Sequence, residues 1–373
     1  MKKQIFLSPP HMSDKEKELL GNAFESNWIA PIGPSIDQFE KELSHYIGVK
    51  ASCVLSSGTA ALHLALKILG VGKGDIVLCP SLTFAASANV ILYEDAVPIF
   101  IDVDPVNWVI DINLLEFAMK KYSPKALIAV DLYGNPCNYN EINRLCKKYD
   151  VLLIEDAAES LGSSYNDNKC GSFGKIAALS FNGNKIITTS GGGALVSSNE
   201  DYIKKARFLS TQAREPFLHY EHKELGYNYR MSNLLAAVGI GQLSRIDYFI
   251  KKRRENFNYY FESFSSIDSI NFMEESLSSN SNRWLTTLII NEEMTNVKRD
   301  NIINSLIKEN IECRPVWKPM HMQPLYIKST YVHGKKDISK NLFENGLCLP
   351  SGSNLNREDQ NRIVEIILDC LNE

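Results

Sequence analysis

The sequence predicts an α/β fold: a mostly parallel sheet with helices on both faces, followed by a smaller α+β unit. Three observations predict it. Short runs recur between about residues 50 and 200 that are nearly continuous in apolar side chains, as strands covered on both faces must be. Helix-length segments separate them, which gives the βαβα rhythm of a parallel sheet. Past about residue 230 that rhythm gives way to one long helical stretch and then to shorter elements.

Taken in order, the strand-like runs are DIVLC (75–79), VPIFID (97–102), KALIAVDL (125–132), VLLIEDA (151–157), IAALSF (176–181) and GALVS (193–197). The helical segments between them include ALHLALKIL (61–69), closed by Gly70, and NYNEINRLCKKYD (138–150). NLLAAVGIGQLSRIDYFIKKRRENFNYYFESF (233–264) reads as a long helix with a break near Gly239 or Gly241, and its small-residue start suits close packing against a partner chain. RWLTTLIIN (283–291), a helix over 297–309 and IECRPVW (311–317) make up the smaller unit, and ESLSSNSN (275–282) reads as a loop. At 373 residues the chain is long for one core. We place the division at 245/246, with a larger unit over 1–245 and a smaller one over 246–373.

Composition excludes several classes. A hydrophobic content of 44% and a charged content of 23% are those of an ordinary soluble globular protein. The net charge of −4 gives no general attraction to nucleic acid or to an anionic membrane. The one basic cluster, Lys251 to Arg254, is followed by Glu255 within a helical pattern and reads as a solvated helix face. No two of the eight cysteines are spaced C-x-x-C, so neither a zinc site nor a thioredoxin-like motif is expected. The cysteines read as buried small hydrophobes in a reducing compartment. MKKQIFLSPPHM is too short in its apolar part for a signal peptide, and no apolar run approaches the ~18 residues of a membrane span. A cytoplasmic protein with no resident metal is expected.

Ligands of open α/β sheets bind at the carboxyl ends of the strands. Ser56, Ser57, Gly58 and Thr59 stand there directly before a helix, where small residues, hydroxyls and a helix N-terminus suit an anion; plain N-capping is the alternative. Glu155, Asp156 and Glu159 follow a buried strand, as partners of a buried cation or as a cap for the next helix. Phe84, in LTFAAS (82–87), offers a flat ring at another strand end, or a core side chain. Lys185 sits on a polar, glycine-flanked turn in SFNGNKIITTSGGG (180–193). A phosphate cradle, a stacking ring, a carboxylate for a pyridinium nitrogen and an amine able to form an imine serve one cofactor together, pyridoxal 5′-phosphate (PLP).

SGTAALHLAL, IEDAAESLGS, SFNGNKIITTSGGGAL and GYNYRMSNLLAAVGIGQL resemble the DegT/DnrJ/EryC1/StrS nucleotide-sugar aminotransferases, and the resemblance runs from LSPPHM (7–12) to CLPSG (348–352). It implies PLP fold type I, with a mostly parallel seven-stranded sheet in the larger unit. Within the family, SPPHM, SNWIAPIGP (26–34), QAREPFLHYEH (212–222) and RPVWKPMHMQP (314–324) are most similar to the PglE-type enzymes, which aminate C4 of UDP-4-keto-6-deoxy-N-acetylglucosamine.

The resemblance implies a role for each matching position. Lys185 is the Schiff-base lysine and Asp156 the pyridinium partner. Gly58, Thr59 and Ser180 hold the phosphate, and Phe84 packs on the ring. Glu159 stands where many members have Gln, near the cofactor's 3′-oxygen; a carboxylate there repels a phenolate unless a proton is shared. Asn182 replaces a His of many members, so an amide contact takes the place of the imidazole. Asn228 matches an asparagine that reaches the phosphate of the neighbouring subunit, which implies a homodimer with shared sites. Arg230, Lys318 and His321 are candidates for the nucleotide sugar, with a structural His321 as the alternative.

The implied reaction moves an amine from L-glutamate through pyridoxamine phosphate to a sugar ketone. Its rivals are a family member acting at C3 or on a dTDP- or GDP-sugar, and a dehydratase relative, which would carry His in place of Lys185. A non-catalytic regulator is disfavoured by Lys185 and Asp156, and a nicotinamide enzyme by the missing G-x-G-x-x-G.

Overall fold

The fold comes from a computed structural model that describes residues 3–276 and 278–372. The expected loop 275–282 therefore includes one residue, Leu277, outside the described part, and Met1, Lys2 and Glu373 also lie outside it.

Helices α1 (Asp14–Glu25) and α2 (Pro34–Ile47) lead into β1 (Ala51–Leu55). Then α3 (Gly58–Ile68), β2 (Ile76–Pro80), α4 (Ala85–Tyr93), β3 (Val97–Ile101), α5 (Ile112–Tyr122), β4 (Ala126–Val130), α6 (Tyr139–Tyr149) and β5 (Leu152–Asp156) alternate as expected. The short strands β6 (Ser164–Tyr165) and β7 (Asn168–Lys169) precede β8 (Ile176–Ser180), β9 (Gly193–Ser197) and α7 (Glu200–Ser210). After them come α8 (Asn233–Leu243), α9 (Ile246–Phe264), β10 (Ile270–Phe272), β11 (Ser279–Asn280) and β12 (Thr286–Ile290). The chain ends with α10 (Arg299–Lys308), β13 (Arg314–Pro315), β14 (Thr330–Val332), α11 (Ile338–Asn345), β15 (Gly346–Leu349) and α12 (Arg357–Asn372).

Among the described residues the large sheet has eight strands in the order β1-β9-β8-β5-β4-β2-β3-β14, against the seven expected. The eighth is β14, which pairs in parallel with β3 in the register Thr330↔Ile99 to Val332↔Ile101. Only β9 runs antiparallel to its neighbours β1 and β8. The central strands bury both faces. Along β4, Ala126, Ile128 and Val130 join a core with α3, α4 and α7, while Leu127 and Ala129 join one with α5 and α6. Val54, Ala177, Leu179, Ala194 and Val196 pack against α2 and α8.

A second sheet, β10-β12-β15-β13, packs with α9, α10 and α12. A third, β11-β6-β7, draws Ser279 and Asn280 out of the expected loop and pairs them with Tyr165 and Ser164. No helix of the described residues is long and apolar enough to cross a membrane.

Two expectations about 233–264 are corrected. The break lies at Ser244 and Arg245, between α8 and α9, not at a glycine. Gly239 and Gly241 are contact points within the chain: a Cβ on Gly239 would meet the Phe39 ring at 2.5 Å, and one on Gly241 would meet Glu16 Cγ at 2.8 Å. The small-residue face of α8 is thus spent on α1 and α2 of the same chain. The basic cluster is corrected as well. Arg253 is 1% exposed, because position 253 falls on the inward face of α9.

Candidate active site

Strand directions bring the carboxyl ends of β1, β4, β5 and β8 to one edge of the sheet, where Leu55 and Ser180 both face Gly193 and Val130 faces Asp156. A cavity of about 350 Å³ opens there.

At the end of β1 the chain turns through Ser56 and Ser57 into α3. Ser57 caps the helix, its hydroxyl accepting from the Ala60 N–H at 3.0 Å. The capping alternative therefore holds for Ser57, while first-turn N–H groups such as those of Gly58 and Thr59 have no acceptor within the helix. Three chain segments meet tightly at this point. A Cβ on Gly58 would stand 3.0 Å from Ser180 Cβ, and one on Gly193 would stand 2.4 Å from Gly58 N. Glycine lets the backbones approach, and the result is a small-residue rim of Gly58, Thr59 and Ser180 facing the cavity.

At the end of β5, Asp156 is 5% exposed. No helix follows it, so the reading of Asp156 as a helix cap is corrected: Oδ1 accepts from the Ala158 N–H at 3.2 Å within a turn. Oδ2 accepts from Ser87 Oγ at 2.7 Å. Burial raises the Asp156 carboxyl above the ordinary range; these two donors, and more weakly the Lys185 charge, pull it back. Its hydrogen-bond partners are thus neutral, although it lines a cavity.

Lys185 rides the turn between β8 and β9, its N–H bonded to the Asn182 carbonyl at 3.0 Å. Its ammonium lies 3.4 Å from Glu159 Oε1 and 3.9 Å from the centroid of the Trp284 ring. Glu159 Oε2 accepts from the Tyr133 N–H at 2.6 Å. Burial pushes the Glu159 carboxyl up to about 7, with the Lys185 charge as the main opposing influence. Phe84 is 58% exposed at the mouth, its ring 5.4 Å from that of Trp317.

Ten of the residues expected from the sequence line this one cavity: Ser56, Ser57, Gly58, Thr59, Phe84, Asp156, Glu159, Ser180, Asn182 and Lys185. Five others are elsewhere. Glu155 is buried away from the cavity, its Oε2 accepting from the Phe173 N–H at 2.8 Å. Asn228 is exposed on a bridge to Thr211. Arg230 does not line the cavity: its Nη1 donates to Glu40 Oε1 at 2.8 Å and to the Val54 carbonyl at 3.0 Å. His321 takes its structural alternative, with Nδ1 2.7 Å from Ser81 Oγ, Nε2 3.2 Å from Asp337 Oδ2, and its ring stacked on Tyr331 at 3.8 Å. Lys318 is exposed, and the cavity does not include it.

Sequence reasoning missed Ser87, Trp284 and Trp317, all of which line the cavity. Ser87 lies within the LTFAAS stretch that was singled out for Phe84. The tryptophans come from the last third of the chain, and no local pattern ties them to the sheet edge.

The residues present fit PLP. A buried carboxylate with neutral partners suits a cationic ring nitrogen, a helix start with small residues suits a phosphate, and a lone amine faces the same space. Fold and site together define a PLP-dependent enzyme of fold type I. The sequence model of the DegT/DnrJ/EryC1/StrS aminotransferase family matches residues 10–368, and the chain belongs to that family.

EpsN of Bacillus subtilis, named as a candidate pyridoxal phosphate-dependent aminotransferase, is 49% identical over 99% of this chain and 96% of its own. The GDP-perosamine synthase of Caulobacter vibrioides is 35% identical over 97% of this chain and 96% of its own. Among solved structures, the candidate sugar aminotransferase Spr1654 of Streptococcus pneumoniae superimposes in its PMP-form with a TM-score of 0.91 at 27% identity, covering 99% of both chains. Its PLP-form gives a TM-score of 0.92. The protein is an aminotransferase, and its cofactor is PLP.

Proposed function

We propose that the protein moves an amino group from L-glutamate to the keto carbon of a nucleotide-linked sugar, and that the acceptor is a UDP-4-keto-6-deoxy-N-acetylhexosamine aminated at C4. The observation that carries the chemistry is the placement of Asp156 and Lys185 in one cavity with the Gly58–Thr59–Ser180 rim. The UDP acceptor rests on resemblance in SNWIAPIGP and RPVWKPMHMQP. A GDP-linked keto sugar is the second reading, favoured by 35% identity to a GDP-perosamine synthase.

When bound, PLP supplies an electron sink for the carbon that loses its proton. The chain's residues do the rest. Gly58, Thr59 and Ser180 hold the phosphate, with Asn228 of a second copy completing the cradle in a homodimer. Asp156, already buried and oriented by Ser87, keeps the ring nitrogen protonated. Phe84 would pack on the ring, and Asn182 would offer it an amide. Lys185 anchors the cofactor at rest and, once released, carries the proton taken from the donor α-carbon. Glu159 would hold the lysine ammonium in the meantime; burial raises its carboxyl to about 7 in the PLP-free protein.

The division of the chain at 245/246 and a cytoplasmic setting belong to the same proposal. The experiment is incubation with PLP, L-glutamate and a panel of 4-keto and 3-keto sugars linked to UDP, GDP and dTDP, with the amino sugar identified by NMR. Formation of 2-oxoglutarate with no amino sugar from any 4-keto UDP-sugar would overturn the acceptor assignment.

A further inference from the structure

The turn that carries Lys185 is held by a closed ring of hydrogen bonds. Trp284 Nε1 donates to the Asn184 carbonyl at 2.7 Å. Ser8 Oγ donates to the same carbonyl, also at 2.7 Å. Arg253 Nη2 donates to Ser8 Oγ at 3.0 Å, and Arg253 Nη1 donates to the Trp284 carbonyl at 2.6 Å. The ring runs from Arg253 to Trp284, Asn184 and Ser8, and back to Arg253.

Arg253 is an expensive member of such a ring. Its guanidinium donates to carbonyl and hydroxyl oxygens rather than to carboxylates, and burial pulls it down to about 9. Trp284 has a second contact with the same turn, since the Lys185 ammonium lies over its ring face. One side chain therefore holds the backbone before the lysine through its N–H and the tip of the lysine through its face. A lysine stem is flexible, and reactive atoms misplaced by about 1 Å can lose about a hundredfold in rate.

We propose that Trp284, locked by Arg253 and Ser8, is the positioning residue that aims the Lys185 amine into the cofactor cavity. The proposal rests on the reading of Lys185 as the residue that links to PLP.

The test separates docking from capture. Pyridoxine 5′-phosphate, an alcohol where PLP has an aldehyde, reports the phosphate rim and Asp156 through its dissociation constant. Added PLP reports the lysine: amine and aldehyde join with loss of one water, and borohydride fixes the product for mass spectrometry of the Lys185 peptide. Trp284→Leu should capture PLP about tenfold more slowly, or worse, beyond any change in its dissociation constant for pyridoxine 5′-phosphate, since Trp284 also lines the cavity. Trp284→Phe keeps the ring face without the N–H and should fall between. Ser8→Ala removes one of the two donors to Asn184 and should slow capture about threefold.

If Trp284→Leu loses all binding through misfolding, the Phe and Ser8 variants decide. Wild-type capture in these variants, or equal loss of docking and capture, overturns the proposal. Wild-type protein that captures PLP elsewhere than Lys185 overturns the underlying reading instead.

Discussion

Glu159 Oε1 stands 3.4 Å from Lys185 Nζ, with the two side chains 4% and 11% exposed. The pair sets a pH dependence. In the folded protein the Glu159 carboxyl keeps its proton up to about 7, against 4.5 as its ordinary value. Between these values the folded state binds more protons than the unfolded one, so stability of the PLP-free protein falls as pH rises through that window. Glu159→Gln cannot titrate and should flatten the fall by up to about 3 kcal/mol. Urea midpoints of both proteins from pH 5 to pH 8 check this; parallel slopes would refute it.

Lys185→Ala should fold and dock PLP without holding it covalently. Transamination should drop by about a thousandfold or more, since the anchoring amine and the proton carrier are lost together. Single-turnover rates with L-glutamate measure it, and substantial turnover would sink the assignment.

For Asp156→Asn, Ser87 can still donate to the remaining oxygen, so the fold should survive. The amide cannot keep the ring nitrogen charged, and the rate should fall by about a hundredfold or more. A rate within about threefold of wild type would leave Asp156 as a turn former only.

Gly193→Ala tests the rim through backbone alone. Its Cβ would fall 2.4 Å from both Gly58 N and Ser57 C, atoms that cannot rotate away. The start of α3 must shift, and PLP affinity should weaken by about tenfold or more, read by equilibrium dialysis. Unchanged affinity would show that the α3 start is not the phosphate site.

Asn228→Ala should weaken PLP retention by about 1.5–3 kcal/mol, the value of a hydrogen bond to a charged group, if Asn228 serves a partner's phosphate. Mixing inactive Lys185→Ala and Asn228→Ala chains should then restore activity, because some heterodimers carry both defects in one site and none in the other. No recovery despite proven subunit exchange and an impaired Asn228→Ala parent would refute the shared site.

Much of this arrangement was legible because it follows from local pattern. Six apolar runs became β2, β3, β4, β5, β8 and β9, and the polar residues at the carboxyl ends of the parallel ones fell on one edge by strand direction alone. β1 escaped notice because Ser52 interrupts an already short run, and β14 because Thr330–Val332 has no apolar pattern of its own. Arg253 was misread for a physical reason. Its neighbours Lys251, Lys252 and Arg254 have partly or fully exposed side chains, and only the tertiary packing of α9 decides which member of a basic run turns inward. Arg230 and His321 show why polar residues are hard to assign from sequence, since partners distant in the chain, Glu40 for one and Ser81 and Asp337 for the other, engage them.

The placement of β14 has a consequence for biosynthesis. Its partner β3 is complete by residue 101, yet the strand that covers β3's open edge spans residues 330–332. During translation, well over half the chain must emerge while a hydrophobic strand presents unpaired backbone groups to its surroundings. Such an edge is a template for pairing with other chains. A polypeptide ending prematurely before residue 330 would leave the ribosome with that edge bare, and its fate would be aggregation or proteolysis rather than a smaller working enzyme.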